Sequence, residues 1–261
     1  MGQRKNLLLT VINIAALLAL VVLAILTKSL PFSIGNNWNI SSTFSDLFAT
    51  LSINKIVWSI IYPLLFLFSI YQITMSRKGG SEDPIGKVGV WFFISAIAIS
   101  LSFFKLNLSL LWPLLILLIS LVILYLRVQQ KDASLGYRIG AIFPFSVFLG
   151  WISIVAVNEI TLYIYNTFSS YIPFSKGILT LISLGLIVVI NFLAVLIYGD
   201  IWFSLVGVWT LVEFYLKLSQ STDADQKVNR ITLAGIILLI LSILIHLVIK
   251  GGRVARQEAS I

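Results

Sequence analysis

The sequence predicts an all-α, polytopic membrane helix bundle. Of its 261 residues, 59% are hydrophobic and 11% are charged, whereas soluble domains carry about 25% charged residues. Eight apolar stretches follow one another, and each approaches the roughly 20 residues that a helix needs to cross a hydrocarbon core about 30 Å thick. Because a membrane-spanning backbone must satisfy its own polar groups, a helix is the structure expected for each stretch.

The first apolar stretch, residues 6–27, follows Arg4 and Lys5. It is longer than the apolar core of about 7 to 15 residues in a signal peptide. The following Leu30-Pro31-Phe32 is not a small-residue cleavage site, so we predict an uncleaved membrane helix. The other seven stretches cover residues 56–75, 88–104, 108–126, 140–165, 178–198, 201–216 and 231–249.

The boundary between the sixth and seventh stretches decides the number of helices. Residues 178–216 are too many for one membrane helix, and Gly199-Asp200 interrupts them with residues typical of a turn. We therefore predict a hairpin and eight membrane helices. The alternative is seven helices, either because Gly199-Asp200 is only a kink or because residues 201–216 are re-entrant. Seven helices would place the two ends of the chain on opposite sides of the membrane.

The positions of Lys and Arg predict the orientation. With the amino terminus inside, 11 of these residues flank the cytoplasmic ends of the helices and 7 flank the outer ends. The positive-inside rule therefore favours a multi-pass protein of the cell membrane with both termini in the cytoplasm.

Composition excludes several classes of function. The absence of cysteine excludes disulfides and thiolate metal sites, and a single histidine, His246, excludes multi-histidine metal sites. The net charge of +8 comes from 18 Lys and Arg that lie mostly between apolar stretches, where membrane topology explains them better than nucleic-acid binding. No soluble-enzyme motif is present, and no acid–base pair with suitable spacing supports an enzyme.

Ionisable residues inside membrane helices are candidate functional residues because each is costly in hydrocarbon. Glu159, Glu213 and His246 are the candidates for a polar relay. Each has a structural alternative: Glu159 as a carboxylate at the outer interface, Glu213 as the ion-pair partner of Lys217 four residues later, and His246 as an interfacial side chain.

Two segments resemble the TspO/MBR family of tryptophan-rich sensory proteins and translocator proteins. PFSVFLGWISIVAVNEITLYIYN, residues 144–166, is similar to the last helix of that family, and VWSIIY, residues 57–62, is similar to its second helix. The family's paired prolines before the second helix are replaced by LSINKI, residues 51–56. The resemblance implies a five-helix TspO-like core over residues 1–166 and a three-helix extension with a short cytoplasmic tail over 167–261.

The resemblance also implies a ligand site formed by Trp58, Tyr62, Trp151 and Asn158. Family ligands are planar or lipophilic, so a porphyrin, a sterol or a carotenoid is expected. The ligand would be bound without a covalent link, and the protein would act as a sensor or regulator. Tryptophan faces suit a planar tetrapyrrole, and residues 28–54 are placed to form a lid. Aromatic packing between helices is the alternative for each of these residues.

A second function class is a non-catalytic subunit or assembly factor of a larger membrane complex. Four small residues, Ser183, Gly185, Ala234 and Gly235, allow close approach of another helix. The expected partners are therefore the lipid bilayer, a hydrophobic small molecule, and a second copy or another membrane protein. A proton- or ion-coupled transporter using the three relay candidates ranks third.

Overall fold

A computed structural model describes residues 2–27, 31, 51–78, 84–103, 111–130, 133–168, 176–220 and 226–258. These ranges form helices and short connections without a strand, which confirms the all-α prediction. The helices are α1 (Gly2–Thr27), α2 (Leu51–Lys78), α3 (Ile85–Val88), α4 (Trp91–Phe103), α5 (Leu111–Val128), α6 (Leu135–Tyr137), α7 (Phe143–Phe168), α8 (Lys176–Leu193), α9 (Ile201–Gln220) and α10 (Gln226–Glu258). Two π-helical turns, Arg138–Ile142 and Ala194–Tyr198, lie before α7 and after α8.

Seven helices in the described ranges are long and apolar enough to cross a bilayer. The remaining apolar stretch, residues 88–104, contains α4, whose 13 residues extend only about 20 Å at 1.5 Å per residue. Within the described ranges the count is therefore the alternative of seven, but the reason differs from the one we expected. The Gly199-Asp200 break does separate two helices, and α4 is the short one. Seven crossings place the two termini on opposite sides, so the location of both termini on one side stays a prediction that requires α4 to cross as well.

The turn between α8 and α9 explains why that break forms. Gly199 takes a left-handed conformation with φ of 62°, and its N–H donates to the carbonyl oxygen of Val195 at 2.9 Å. Asp200 then caps α9, because its Oδ1 accepts the N–H groups of Trp202 and Phe203, both at 3.1 Å. Glycine ends one helix and aspartate begins the next.

The described residues fall into two compact units, one up to Ala156 and one from Val157 onward. In the first unit, α1 packs against α2 and α4, α4 pairs with α5, and α2 packs against the π-helical turn before α7. In the second, α9 pairs with α10, and α8 packs against both. The proposed division after residue 166 stays a prediction, as it concerns family relationship rather than compactness.

The proposed lid over residues 28–54 lies outside the described residues, except Pro31 and the backbone of α2 from Leu51.

Candidate functional site

Helix α2 places large side chains in the interior of the first unit. Its fully buried positions recur every three or four residues, which is the spacing of one helical face. They are Trp58, Ile61, Leu65, Phe68 and Gln72. Two of the five have polar atoms, so the face of α2 that is hidden from lipid is not purely apolar.

Trp58 lies in an aromatic cluster formed by α2 and α7. Its ring centroid is 5.4 Å from that of Tyr62 and 6.0 Å from that of Phe148, the latter in an edge-on arrangement. Trp151 follows Phe148 by three residues and so lies on the same side of α7. The structure therefore places Tyr62 and Phe148 beside Trp58, and helical spacing places Trp151 on the side of α7 that carries Phe148, within the first unit. We call Trp58, Tyr62, Phe148 and Trp151 the Trp58 cluster.

The polar atoms of the Trp58 cluster have no hydrogen-bond partner among the residues that the structure describes. Trp58 Nε1, Tyr62 Oη and Trp151 Nε1 are buried and make no hydrogen bond within the described part of the chain. An unpaired buried polar group costs about 1–3 kcal/mol, and native structures carry few of them. All three groups are hydrogen-bond donors, so the cluster can bind oxygen atoms that accept hydrogen bonds.

A second aromatic group lies further along α2. Phe68 is 4.7 Å from Phe145 and 5.6 Å from Phe92 between ring centroids, and Phe92 is 6.2 Å from Phe145. The contacts of Phe145 with Phe68 and with Phe92 are both edge-on, the arrangement that aromatic quadrupoles favour. This apolar group holds α2, α4 and α7 together and so supports the positions of the Trp58 cluster.

Asn158, the fourth predicted ligand residue, belongs to the second compact unit. It is 1% exposed, and both its amide atoms lack a partner in the described ranges. Its participation in the ligand site stays a prediction. The neighbouring Glu159 is 8% exposed. Two residues later, Thr161 shares a 2.8 Å hydrogen bond with Ser183, which joins α7 to α8.

The other two relay candidates lie far apart in the second unit. The ring of His246 packs on Gly199, where an added Cβ would lie 2.7 Å from Nε2. Glu213 is half-buried on α9, fourteen residues after Gly199, or about 20 Å along the helix axis. Glu213 and His246 are thus not brought together. The relay, and the ion pair of Glu213 with Lys217, stay predictions.

Two buried amides were missed by the sequence analysis. Asn13 on α1 and Gln72 on α2 are almost fully buried, and neither amide has a hydrogen-bond partner in the described ranges. A strong polar side chain within an apolar stretch was the available signal, but only charged residues and histidine had been considered as relay candidates.

Two grooves are described, and the Trp58 cluster lines neither. One, of about 550 Å³, lies between α1 and α4, and the other, of about 460 Å³, lies between α8 and α10. No group of three or more His, Asp or Glu suited to a metal occurs in the described ranges.

Most of the chain matches the model of a known protein family. Residues 10–245 match the model of the TSPO-like protein family. The chain belongs to the TSPO-like family. The resemblance seen in residues 57–62 and 144–166 is thereby confirmed, and the match continues through α8 and α9 into α10. Neither the comparison with curated proteins nor that with solved structures found a match. This TSPO-like chain is an integral, multi-pass membrane protein.

Proposed function

We propose that this TSPO-like protein binds a planar, lipophilic ligand of the tetrapyrrole type at the Trp58 cluster. One observation carries the proposal: Trp58, Tyr62 and Trp151 bury three hydrogen-bond donors that have no partner in the described residues. Aromatic faces suit a flat ring system, and the donors suit its acceptor oxygens. Family membership supports the proposal.

The three hydrogen-bond donors of the Trp58 cluster favour a tetrapyrrole over a sterol or a carotenoid. A porphyrin carries two carboxylates and can accept several hydrogen bonds, a sterol has one hydroxyl oxygen, and a hydrocarbon carotenoid has no acceptor. Hydrogen bonds to charged groups are worth about 1.5–3 kcal/mol, so a tetrapyrrole gains most. The sequence's one histidine, His246, belongs to the second unit, so we propose binding without an axial iron ligand.

Binding requires the Trp58 cluster to open. Trp58 is 0% exposed and packed against Phe148, so a ligand must displace side chains of α2 or α7. A ligand that favours the open arrangement shifts the balance between two conformations. This coupling supports the sensor or regulator role. We further propose that the protein lies in the cell membrane. The distribution of Lys and Arg favours both termini in the cytoplasm for eight crossings, so this orientation requires α4 to cross the bilayer as the eighth helix.

Protoporphyrin titration of the protein in lipid nanodiscs tests this function. Trp58→Phe, Trp151→Phe and Tyr62→Phe each remove one donor and keep an aromatic ring. Each is expected to weaken binding about tenfold, the effect of about 1.4 kcal/mol, read from the Soret absorption band. Trp209→Phe is the matched control, since Trp209 is exposed on α9.

Protoporphyrin affinities equal to wild type in all three variants would rule out the Trp58 cluster as the site. Titrations with a sterol and with a carotenoid, under the same conditions, separate the three ligand types.

A membrane-complex subunit is the second candidate function, and Gly185 favours it. Of the four small residues, Ser183 bonds to Thr161, and Gly235 packs against Val188 within the second unit. Gly185, in contrast, is exposed, with no atom of the described chain within 4 Å of an added Cβ. Such a surface permits close helix contact.

For this second candidate we expect a complex larger than one chain in native mass spectrometry after mild extraction, and its loss in Gly185→Leu. Recovery of wild type as a monomer alone contradicts the subunit function.

A further inference from the structure

Two cations of the first unit lie where α5 ends and α4 begins. Lys87 is on α3, four residues before Trp91, the first residue of α4. Its Nζ donates to Gln130 Oε1 at 2.5 Å and lies 4.7 Å from the centre of the Tyr137 ring. Arg127, in the last turn of α5, holds its guanidinium carbon 5.9 Å from the centre of the Trp91 ring. The chain around the start of α4 therefore meets the chain around the end of α5 at two cationic contacts.

The partners of both cations are neutral in the described part of the chain. An amide oxygen and two aromatic rings hold the charges in place but do not neutralise them. Residues 77–87 and 127–138, which include both cations, contain six Lys or Arg and three Asp or Glu, a net charge of +3. The three acids lie outside the described residues. With every acid counted, these two segments still carry an excess of positive charge.

The position of Arg127 places these charges at the level of lipid headgroups. The span Leu111–Val128 is long and apolar enough to cross a bilayer, and Arg127 is its last residue but one. Trp91 also suits this level, because tryptophan is enriched at the membrane–water interface. Val90 and Leu126, the chain neighbours of Trp91 and Arg127, are about half exposed. Cationic and exposed apolar side chains therefore adjoin one another at the end of this span.

We propose that Lys87 and Arg127 bind the headgroup phosphate of an anionic phospholipid, with its acyl chains along Val90 and Leu126. An ammonium and a guanidinium both donate charge-assisted hydrogen bonds to phosphate oxygens, and basic sites at the ends of membrane helices bind acidic headgroups. A free phosphate would gain the contacts with the cations but not those with the apolar side chains. The site shares no residue with the Trp58 cluster and does not depend on the proposed function.

Native mass spectrometry of the delipidated full chain in detergent tests this site. The probes are dioleoylphosphatidylglycerol, which is anionic, and dioleoylphosphatidylcholine, which has the same chains and no net charge. One cation near a membrane surface raises the affinity for acidic lipid about fivefold. We therefore expect wild type to prefer phosphatidylglycerol about 25-fold. Lys87→Gln and Arg127→Gln are each expected to lower the preference about fivefold, and the double variant is expected to remove it.

Lys55→Gln combined with Arg230→Gln is the matched control, because it removes the same two charges elsewhere. Lys55 and Arg230 are both exposed. Lys55 lies sixteen residues before Tyr71, whose ring contacts that of Tyr137, so it is about 24 Å away along α2. We expect this control to keep the lipid preference of wild type.

A charge-keeping variant protects the test against misfolding. Lys87→Arg combined with Arg127→Lys is expected to retain the preference, because both charges remain. A preference that survives the double glutamine variant, or that the control variant loses equally, overturns the proposal. Loss of the preference in the charge-keeping variant also overturns it, since charge would then not be the cause. Displacement of phosphatidylglycerol by an equimolar amount of inorganic phosphate would show that a free anion suffices and would overturn the lipid as occupant.

Discussion

Replacing Gly207 with valine is expected to lower the melting temperature of the purified protein by about 5–10 °C. Gly207 on α9 lies so close to Asn191 on α8 that an added Cβ would overlap three atoms of the Asn191 side chain, Cγ, Oδ1 and Nδ2. Either the side chain must move or the two helices must separate.

Moving the Asn191 side chain away from Gly207 would cost free energy. Its Nδ2 donates to the backbone carbonyl oxygen of Ile187 at 2.8 Å. The backbone carbonyl oxygen of Asn191 accepts a hydrogen bond from the hydroxyl of Ser204 at 2.6 Å. The second bond joins α8 to α9 beside their turn. A β-branched side chain at position 207 therefore strains the contact between α8 and α9. Overpacking of this kind typically lowers the free energy of unfolding by about 1–3 kcal/mol.

Gly185→Val is the matched control for Gly207→Val. It places the same side chain inside the neighbouring helix α8, so the change in helix propensity is the same. An added Cβ at Gly185 has open space around it. The two variants are compared by their melting temperatures, measured by intrinsic fluorescence in detergent. Asn191→Ala combined with Gly207→Val is expected to recover part of the loss, and equal shifts for Gly207→Val and Gly185→Val would contradict the contact.

Gly140→Ala is expected to lower the melting temperature by about 5 °C, although it adds one methyl group. Gly140 lies in the π-helical turn Arg138–Ile142 before α7. An added Cβ would lie 2.8 Å from Tyr71 Cβ, 2.5 Å from its Cδ2, and closer still to Cγ. Because Tyr71 Cβ is fixed to the backbone of α2, a change of side-chain rotamer moves the ring but leaves the 2.8 Å overlap with Cβ.

Gly136→Ala controls for the helix propensity of alanine near the same turn. The nearest atoms to an added Cβ at Gly136 are 3.8 Å and 3.9 Å away, which is ordinary contact. We expect its melting temperature to equal or exceed that of wild type, since alanine reduces the freedom of the unfolded chain. A loss as large as that of Gly140→Ala would show that the Tyr71 contact is not responsible.

Features that depend on local sequence were predictable. The all-α membrane fold followed from the length of the apolar stretches, since the bilayer requires each backbone segment to satisfy its own hydrogen bonds. The α8–α9 turn followed from Gly199-Asp200, because a left-handed glycine and a capping aspartate act on adjacent residues. The family resemblance followed from residues 57–62 and 144–166. None of these three predictions requires knowledge of which helices are in contact.

The length of α4 was not predictable from hydropathy. The apolar stretch over residues 88–104 contains Gly89, whose φ of 51° separates the short helix α3 from α4. Hydropathy measures how apolar a stretch is, not where its backbone turns. The 13-residue helix therefore leaves seven helices long enough to cross a bilayer in the described part of the chain.

The faces on which helices meet required the folded chain. In a soluble protein the apolar face of a helix points inward, but in a bilayer the lipid is as apolar as the core, so hydrophobic pattern does not mark the buried face. The sequence could therefore name Trp58, Tyr62 and Trp151 through a family resemblance but not show that Phe148 joins them. It also could not show that Asn13 lines a groove, or that Gly207 contacts Asn191 while Gly185 contacts nothing described. Those facts depend on contacts between helices, which set the burial of each polar group.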